Sequence, residues 1–122
     1  MRIDIQTRGF ALTDSIRNHC ERRMRFALGP TSGHLTGIAI RLADVNGPKG
    51  GADKRCMIKA TIPGAPTIVV GQEEPNLYAA IDLAADRMAR TLSRRLQRTW
   101  RDRRGAVHWQ TPAQNLNLEA PN

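Results

Sequence analysis

One stretch of this chain, Asn76 to Arg104, gathers its apolar residues on one side only as a long amphipathic helix. With Ile81 set at zero and about 100° added per residue, Leu77, Ala84, Ala85, Met88, Leu92 and Leu96 fall within roughly 60° of it. Arg87, Arg90, Arg94, Arg98 and Arg101 fall on the opposite side, at roughly 180° to 260°. A helix that must bury the first stripe therefore shows solvent a straight row of guanidinium groups. From Arg87 to Arg98 the row extends roughly 16 Å at about 1.5 Å per residue, enough to follow several phosphates. Acidic partners are sparse along it, with Asp82, Asp86 and Asp102 the acidic residues of the stretch. Like charges at helical spacing cost stability unless something neutralises them. The row points to a polyanion.

Composition places the rest. At 122 residues there is room for one domain with a modest core. Nineteen Lys and Arg against eleven Asp and Glu give a formal charge of +8, which predicts attraction to nucleic acid, anionic lipid or an acidic protein. Aromatic residues at 4% argue against a platform that stacks unpaired bases one after another. The opening residues Met1-Arg2-Ile3-Asp4 lack an apolar targeting core, and no window reaches the length of a membrane span, so a cytoplasmic protein is expected. Cys20 and Cys56 are far apart in sequence, match no metal-ligand spacing and fall on predicted core faces; they read as buried, reduced thiols.

Upstream of the long helix, Arg2–Thr7 alternates as a strand with Ile3 and Ile5 on one face. Thr13 and Asp14 then open a helix that runs to about Leu28 and buries Ile16, Cys20, Met24 and Ala27. Arg22 and Arg25 point away from that stripe. Arg23 falls close to it, so its stem is expected along the boundary with its head in water. Gly29-Pro30 and Gly33 stop the helix in a turn. Strands follow at Leu35–Asp44, Lys54–Ile62 and Thr67–Gln72, joined by the glycine-rich loop Asn46–Gly51 and the reversal Pro63–Pro66. Acidic Glu73 and Glu74 lie just ahead of the long helix. Each strand is apolar on one face, which predicts an α+β fold of order β-α-β-β-β-α: a four-stranded sheet with both helices on one face. Arg95 and Arg103 return to the inner side of the long helix, so packing is expected to stop near Leu96. Residues 1–104 form the expected domain, and Gly105–Asn122 reads as a flexible tail.

Leu77-Tyr78-Ala79-Ala80-Ile81-Asp82, with Arg87-Met88, Arg90 and Leu92 behind it, resembles the second helix of the ribosome hibernation-promoting factor and ribosome-associated inhibitor family. Ile16-Arg17, His19 and Arg23-Met24 resemble its first helix, and Lys59-Ala60-Thr61-Ile62-Pro63-Gly64 its hairpin. The likeness covers about residues 1–98. It implies a fold like that of double-stranded-RNA-binding domains and a protein that sits in the decoding region of the small ribosomal subunit, excluding messenger and transfer RNA. Carried over by position, the ribosomal-RNA contacts are Arg87, Arg90, Arg94 and Arg98 on the second helix and Arg17 and Arg23 on the first. Arg2, Arg41, Arg55 and Lys59 on the outer sheet face are secondary candidates. Longer members carry a further domain that joins two ribosomes, which this chain is too short to hold. Arg101–Asn122, with Trp100 just before it and His108 and Trp109 inside it, has no counterpart in that likeness.

Other readings of single residues are weaker. Asp82 and Asp86 lie at i, i+4 near arginines, which favours local ion pairing over a catalytic pair. His19 and His34 have no metal-ligand partner at a useful spacing, and no cofactor is implied. Tyr78 reads as a core residue with its hydroxyl at the surface. The loop Gly47–Gly51 lacks the strand-to-helix setting and Lys-Ser/Thr ending of a phosphate loop. No nucleophile–base pair stands out, so an enzyme is not expected. A general RNA-binding module, or a homodimer through the open sheet face with Met57, Val69 and Ala39 at its centre, remains the alternative.

Overall fold

In a computed structural model of the chain, residues 2–45 and 53–107 are described, with side chains through Arg98. The element order is β1 (Arg2–Arg8), α1 (Asp14–Leu28), a short 3-10 helix (Gly29–His34), β2 (Gly37–Asp44), β3 (Lys54–Thr61), β4 (Ile68–Glu74) and α2 (Leu77–Val107). The strands lie in the order β1-β2-β3-β4. β1 runs parallel to β2, because the chain between them returns through α1. The two later pairs, β2 with β3 and β3 with β4, are antiparallel hairpin partners.

Register turns the alternation of each strand into one continuous apolar face. Ile5 lies beside Ile40, Ile40 opposite Ile58, and Ile58 opposite Val70, a row of branched side chains across all four strands. The next row is Ile3, Ile38, Ala60 and Ile68. Onto this face pack Ile16, Cys20, Met24 and Leu28 of α1 and Ala80, Ile81, Ala84, Ala85, Met88 and Leu92 of α2. The other face carries Arg2, Asp4, Gln6, Arg8, Arg41, Met57, Lys59 and Val69, all exposed. The two-layer α+β architecture is the one expected from the sequence.

Several boundaries move for local reasons. Gly29 does not end α1 in the left-handed region; it keeps helical angles (φ −51°, ψ −49°). Pro30 withholds an N–H, and the chain tightens into a 3-10 turn. There the Thr31 hydroxyl donates to the Leu28 carbonyl at 3.1 Å and the Ser32 hydroxyl to the Gly29 carbonyl at 2.9 Å. Thr13 does cap α1, its Oγ1 accepting from the Ile16 N–H at 3.2 Å. At α2 the cap is Asn76, whose Oδ1 accepts from the N–H groups of Tyr78 (2.8 Å) and Ala79 (3.1 Å). Glu73 and Glu74, expected to serve that terminus by charge, instead belong to β4. In the β3–β4 reversal Pro63 presets φ, and Gly64 takes the positive φ of 76° that a side chain would resist. The Ala65 N–H closes the turn on the Ile62 carbonyl at 3.1 Å.

Helix α2 runs to Val107, three residues past the expected domain end at 104. Among the described side chains, which end at Arg98, the last buried one on α2 is Leu96. The loop Asn46–Gly51, Trp109 and the segment 108–122 lie outside the described residues.

Cys20 and Cys56 are fully buried free thiols on facing layers. Loss of water around it, assisted by Glu21, pushes the Cys20 thiol up from 9.0 to about 12. Burial pushes Cys56 up further, with Cys20 as a second cause. The fold thus favours neutral thiols. Their contribution to stability is complete below pH 9 and is lost as pH rises from there through about 12. Urea midpoints should be level in this respect up to pH 8 and fall by pH 11, and the fall should shrink in a Cys20→Ala, Cys56→Ala variant.

Candidate nucleic-acid interface

The phase of α2 is set by its buried stripe, and that stripe decides where its arginines go. Met88 and Leu92 are wholly buried, so Arg87, Arg90, Arg94 and Arg98 are turned outward, and all four are exposed. Arg87 leans toward the free side of β4, where its Nη1 donates to the Gly71 carbonyl at a long 3.4 Å. Among the described residues no carboxylate pairs with any of the four. The side chain of Arg101 lies beyond those described.

The other flank of α2 behaves differently. Asp82 and Asp86 face α1, not the arginines of their own helix. His19 Nε2 lies 2.7 Å from Asp82 Oδ1, and Arg23 donates through Nε to the same oxygen at 3.2 Å. The Arg23 Nη2 group also donates to Asp86 Oδ1 at 2.7 Å. Tyr78 completes the seam, its ring edge-to-face with His19 at 4.8 Å. This corrects two expectations. Arg23 does not hold its head out in water; it bridges the helices, because its angular position next to the core stripe brings it to α2. The two aspartates pair between helices and not within one. Their spacing held the clue: acids at i, i+4 on one helix match bases at i, i+4 (His19 and Arg23) on the other.

Arg23→Ala should therefore cost about 1 kcal/mol of stability, since the pairs are partly exposed and screened. Chemical denaturation checks it. A double-mutant cycle with Asp86→Asn should show the two losses to be non-additive.

Arg17, the other first-helix candidate, is exposed in the first turn of α1. It lies roughly 140° around that helix from His19 and Arg23, on the flank away from α2. The structure gathers Arg87, Arg90, Arg94 and Arg98 but leaves Arg17 apart from them. Arg22 and Arg25, exposed on the outward side of α1, widen the cationic surface beyond the residues that the family likeness supplied.

The open sheet face is a second, more mixed surface. Arg2, Arg8, Arg41 and Lys59 are exposed there. Arg55 is bound by Glu73, with Nε and Nη2 donating to Oε2 at 2.9 and 2.7 Å. Among the described residues, no group of three or more His, Cys, Asp or Glu side chains could hold a metal ion. No described helix is long and apolar enough to cross a membrane. What the helical layer offers is fixed cationic hydrogen-bond donors at spacings that suit phosphate oxygens.

The sequence model of the sigma 54 modulation protein / S30EA ribosomal protein family matches residues 3–99. The chain belongs to this family. That S30EA family includes the hibernation-promoting factors, and its members are ribosome-associated proteins. Among solved structures the chain is similar to the N-terminal domain of Protein Y from Thermus thermophilus, at 30% identity and a TM-score of 0.64. The match covers 77% of this chain and 98% of that one. A ribosomal subunit interface protein from Coxiella burnetii shares the fold at 22% identity and a TM-score of 0.66, over 77% of this chain and 96% of that one. No curated protein sequence matches it significantly. The matched span ends at residue 99, so it takes in Arg87, Arg90, Arg94 and Arg98.

Proposed function

We propose that this protein is a hibernation factor that binds ribosomal RNA of the small subunit through its helical face and blocks messenger and transfer RNA by occupying their site. The observation that carries the reading is the exposed row Arg87, Arg90, Arg94 and Arg98, which no carboxylate among the described residues pairs with, while Asp82 and Asp86 of the same helix are engaged by α1. Phosphate contacts position a protein without reading sequence, and occupancy needs nothing more. Membership of the S30EA ribosomal protein family supports the choice of the ribosome as partner and, with it, the cytoplasm as location.

The test is sedimentation with vacant small subunits at moderate salt, with and without messenger and initiator transfer RNA. Co-sedimentation that those ligands displace is the expected result. Equal binding to any structured RNA, with no competition, would instead make the chain a general RNA-binding module.

Self-association through the open sheet is disfavoured by charge. Met57 and Val69 are exposed there, but Arg2, Arg8, Arg41 and Lys59 surround them, and a second copy would bring the same cations. Light scattering should give a monomer mass across a wide concentration range; a mass that doubles with concentration would establish the dimer.

A further inference from the structure

Phe26 is the most exposed large apolar side chain among the described residues, at 81%. Its place is what matters. The pairs His19–Asp82 and Arg23–Asp86 share a 63-residue offset, so α1 and α2 run parallel along their seam. The same offset sets Phe26 level with Ala89 and Arg90, one turn beyond Arg23. Arg22 and Arg25, both exposed, precede it on α1. The ring therefore stands level with the start of the α2 arginine row and follows the exposed arginines of its own helix.

One side of the ring faces Arg23. The Arg23 guanidinium carbon lies 5.9 Å from the ring centroid, within cation–π range. Arg23 is itself held by two carboxylates, so the plane beside the ring is fixed. Apart from that contact with Arg23 the ring adds little to the fold, since it is not packed against the core cluster. Stacked on a nucleobase, it would lose that exposed area while the neighbouring arginines hold the flanking phosphates. A base inside an uninterrupted duplex offers no free face; a bulged or looped-out base does.

We propose that Phe26 is a base-stacking residue that makes the helical face prefer RNA carrying an unpaired nucleotide over a continuous duplex. Arg23 acts as the positioning residue, bracing the far side of the ring. This rests on the reading of the helical face as an RNA surface, and adds to phosphate binding a means of choosing where on folded RNA the protein settles.

The experiment uses the full chain and two RNA hairpins, identical except that one has a single bulged 2-aminopurine. Binding is read by anisotropy, and stacking by quenching of the 2-aminopurine. The wild type should bind the bulged hairpin roughly five- to hundredfold more tightly, the range of one base–aromatic stack, and quench its fluorescence. Phe26→Ala should lose the preference and the quenching while keeping its affinity for the paired hairpin. Phe26→Trp should retain both. Equal wild-type affinity for the two hairpins, or an equal loss on both in Phe26→Ala, overturns the stacking role. Arg90→Glu with Arg94→Glu separates the two claims, because it should weaken both hairpins alike. If it weakens neither, or the wild type binds neither, the underlying RNA reading falls and the stacking role with it. Urea denaturation of Phe26→Ala should match the wild type, since the side chain buries so little.

Discussion

Reversing the charge at Arg90 and Arg94 together should lower affinity for vacant small subunits by roughly two to four orders of magnitude, with no loss of fold. Each substitution removes a charge-assisted contact of about 1.5–3 kcal/mol and places a like charge beside phosphate. Both side chains are exposed, and neither pairs with a described carboxylate, so the core does not depend on them. Salt dependence gives an independent reading of the same surface. Four phosphate contacts from Arg87, Arg90, Arg94 and Arg98 imply a log–log slope near 3, at about 0.7 to 0.9 per contact. Between 50 and 200 mM salt the affinity should then fall by about a hundredfold. In the double variant the slope should drop by roughly two contacts' worth. An unchanged slope, or an unchanged affinity, contradicts the assignment of the row.

Met88→Ala should be among the most damaging single substitutions on α2, at about 2–5 kcal/mol. Met88 is wholly buried among side chains of the central cluster, where α2 lies over the sheet. Removing its side chain leaves a void that the backbones of a four-stranded sheet and two helices cannot close. The same residue sets the outward direction of Arg87 and Arg90, one residue before it and two after. Loosened packing would free the helix to rotate and scatter the row. Met88→Leu, which keeps most of the volume, should cost under about 1.5 kcal/mol. Denaturation midpoints measure both. If Met88→Ala unfolds at the wild-type midpoint, α2 is not held by this contact, and the geometry of the row loses its cause.

The strands, both helices and the arginine row were legible in the sequence because each depends on a period. Alternation puts Ile38, Ile40 and Leu42 on one face of a strand; a spacing of three or four puts Ile81, Met88 and Leu92 on one face of a helix. Such patterns need no partner to be seen. What stayed hidden depends on a second element arriving from elsewhere in the chain. Arg23 could be placed near the core boundary from its own helix alone. Only the parallel approach of α2 showed that the boundary is occupied by Asp82 and Asp86. The exposed ring of Phe26 was equally unremarkable until the offset between helices set it level with Ala89 and Arg90. The continuation of α1 into a 3-10 turn at Gly29 reflects hydroxyl-to-carbonyl bonds from Thr31 and Ser32, a local competition that glycine and proline do not announce.

Partition of the arginines is the physical core of the account. Arg23 joins the helices to each other, while Arg87, Arg90, Arg94 and Arg98 find no carboxylate partner among the described residues. A cryo-electron-microscopy map of the protein on vacant small subunits tests this most directly. The account predicts density in the channel for messenger and transfer RNA, with those four side chains of α2 against ribosomal-RNA phosphates and Arg23 still bound between Asp82 and Asp86. A complex in which the α2 arginines face solvent, or in which the protein sits clear of that channel, would contradict it.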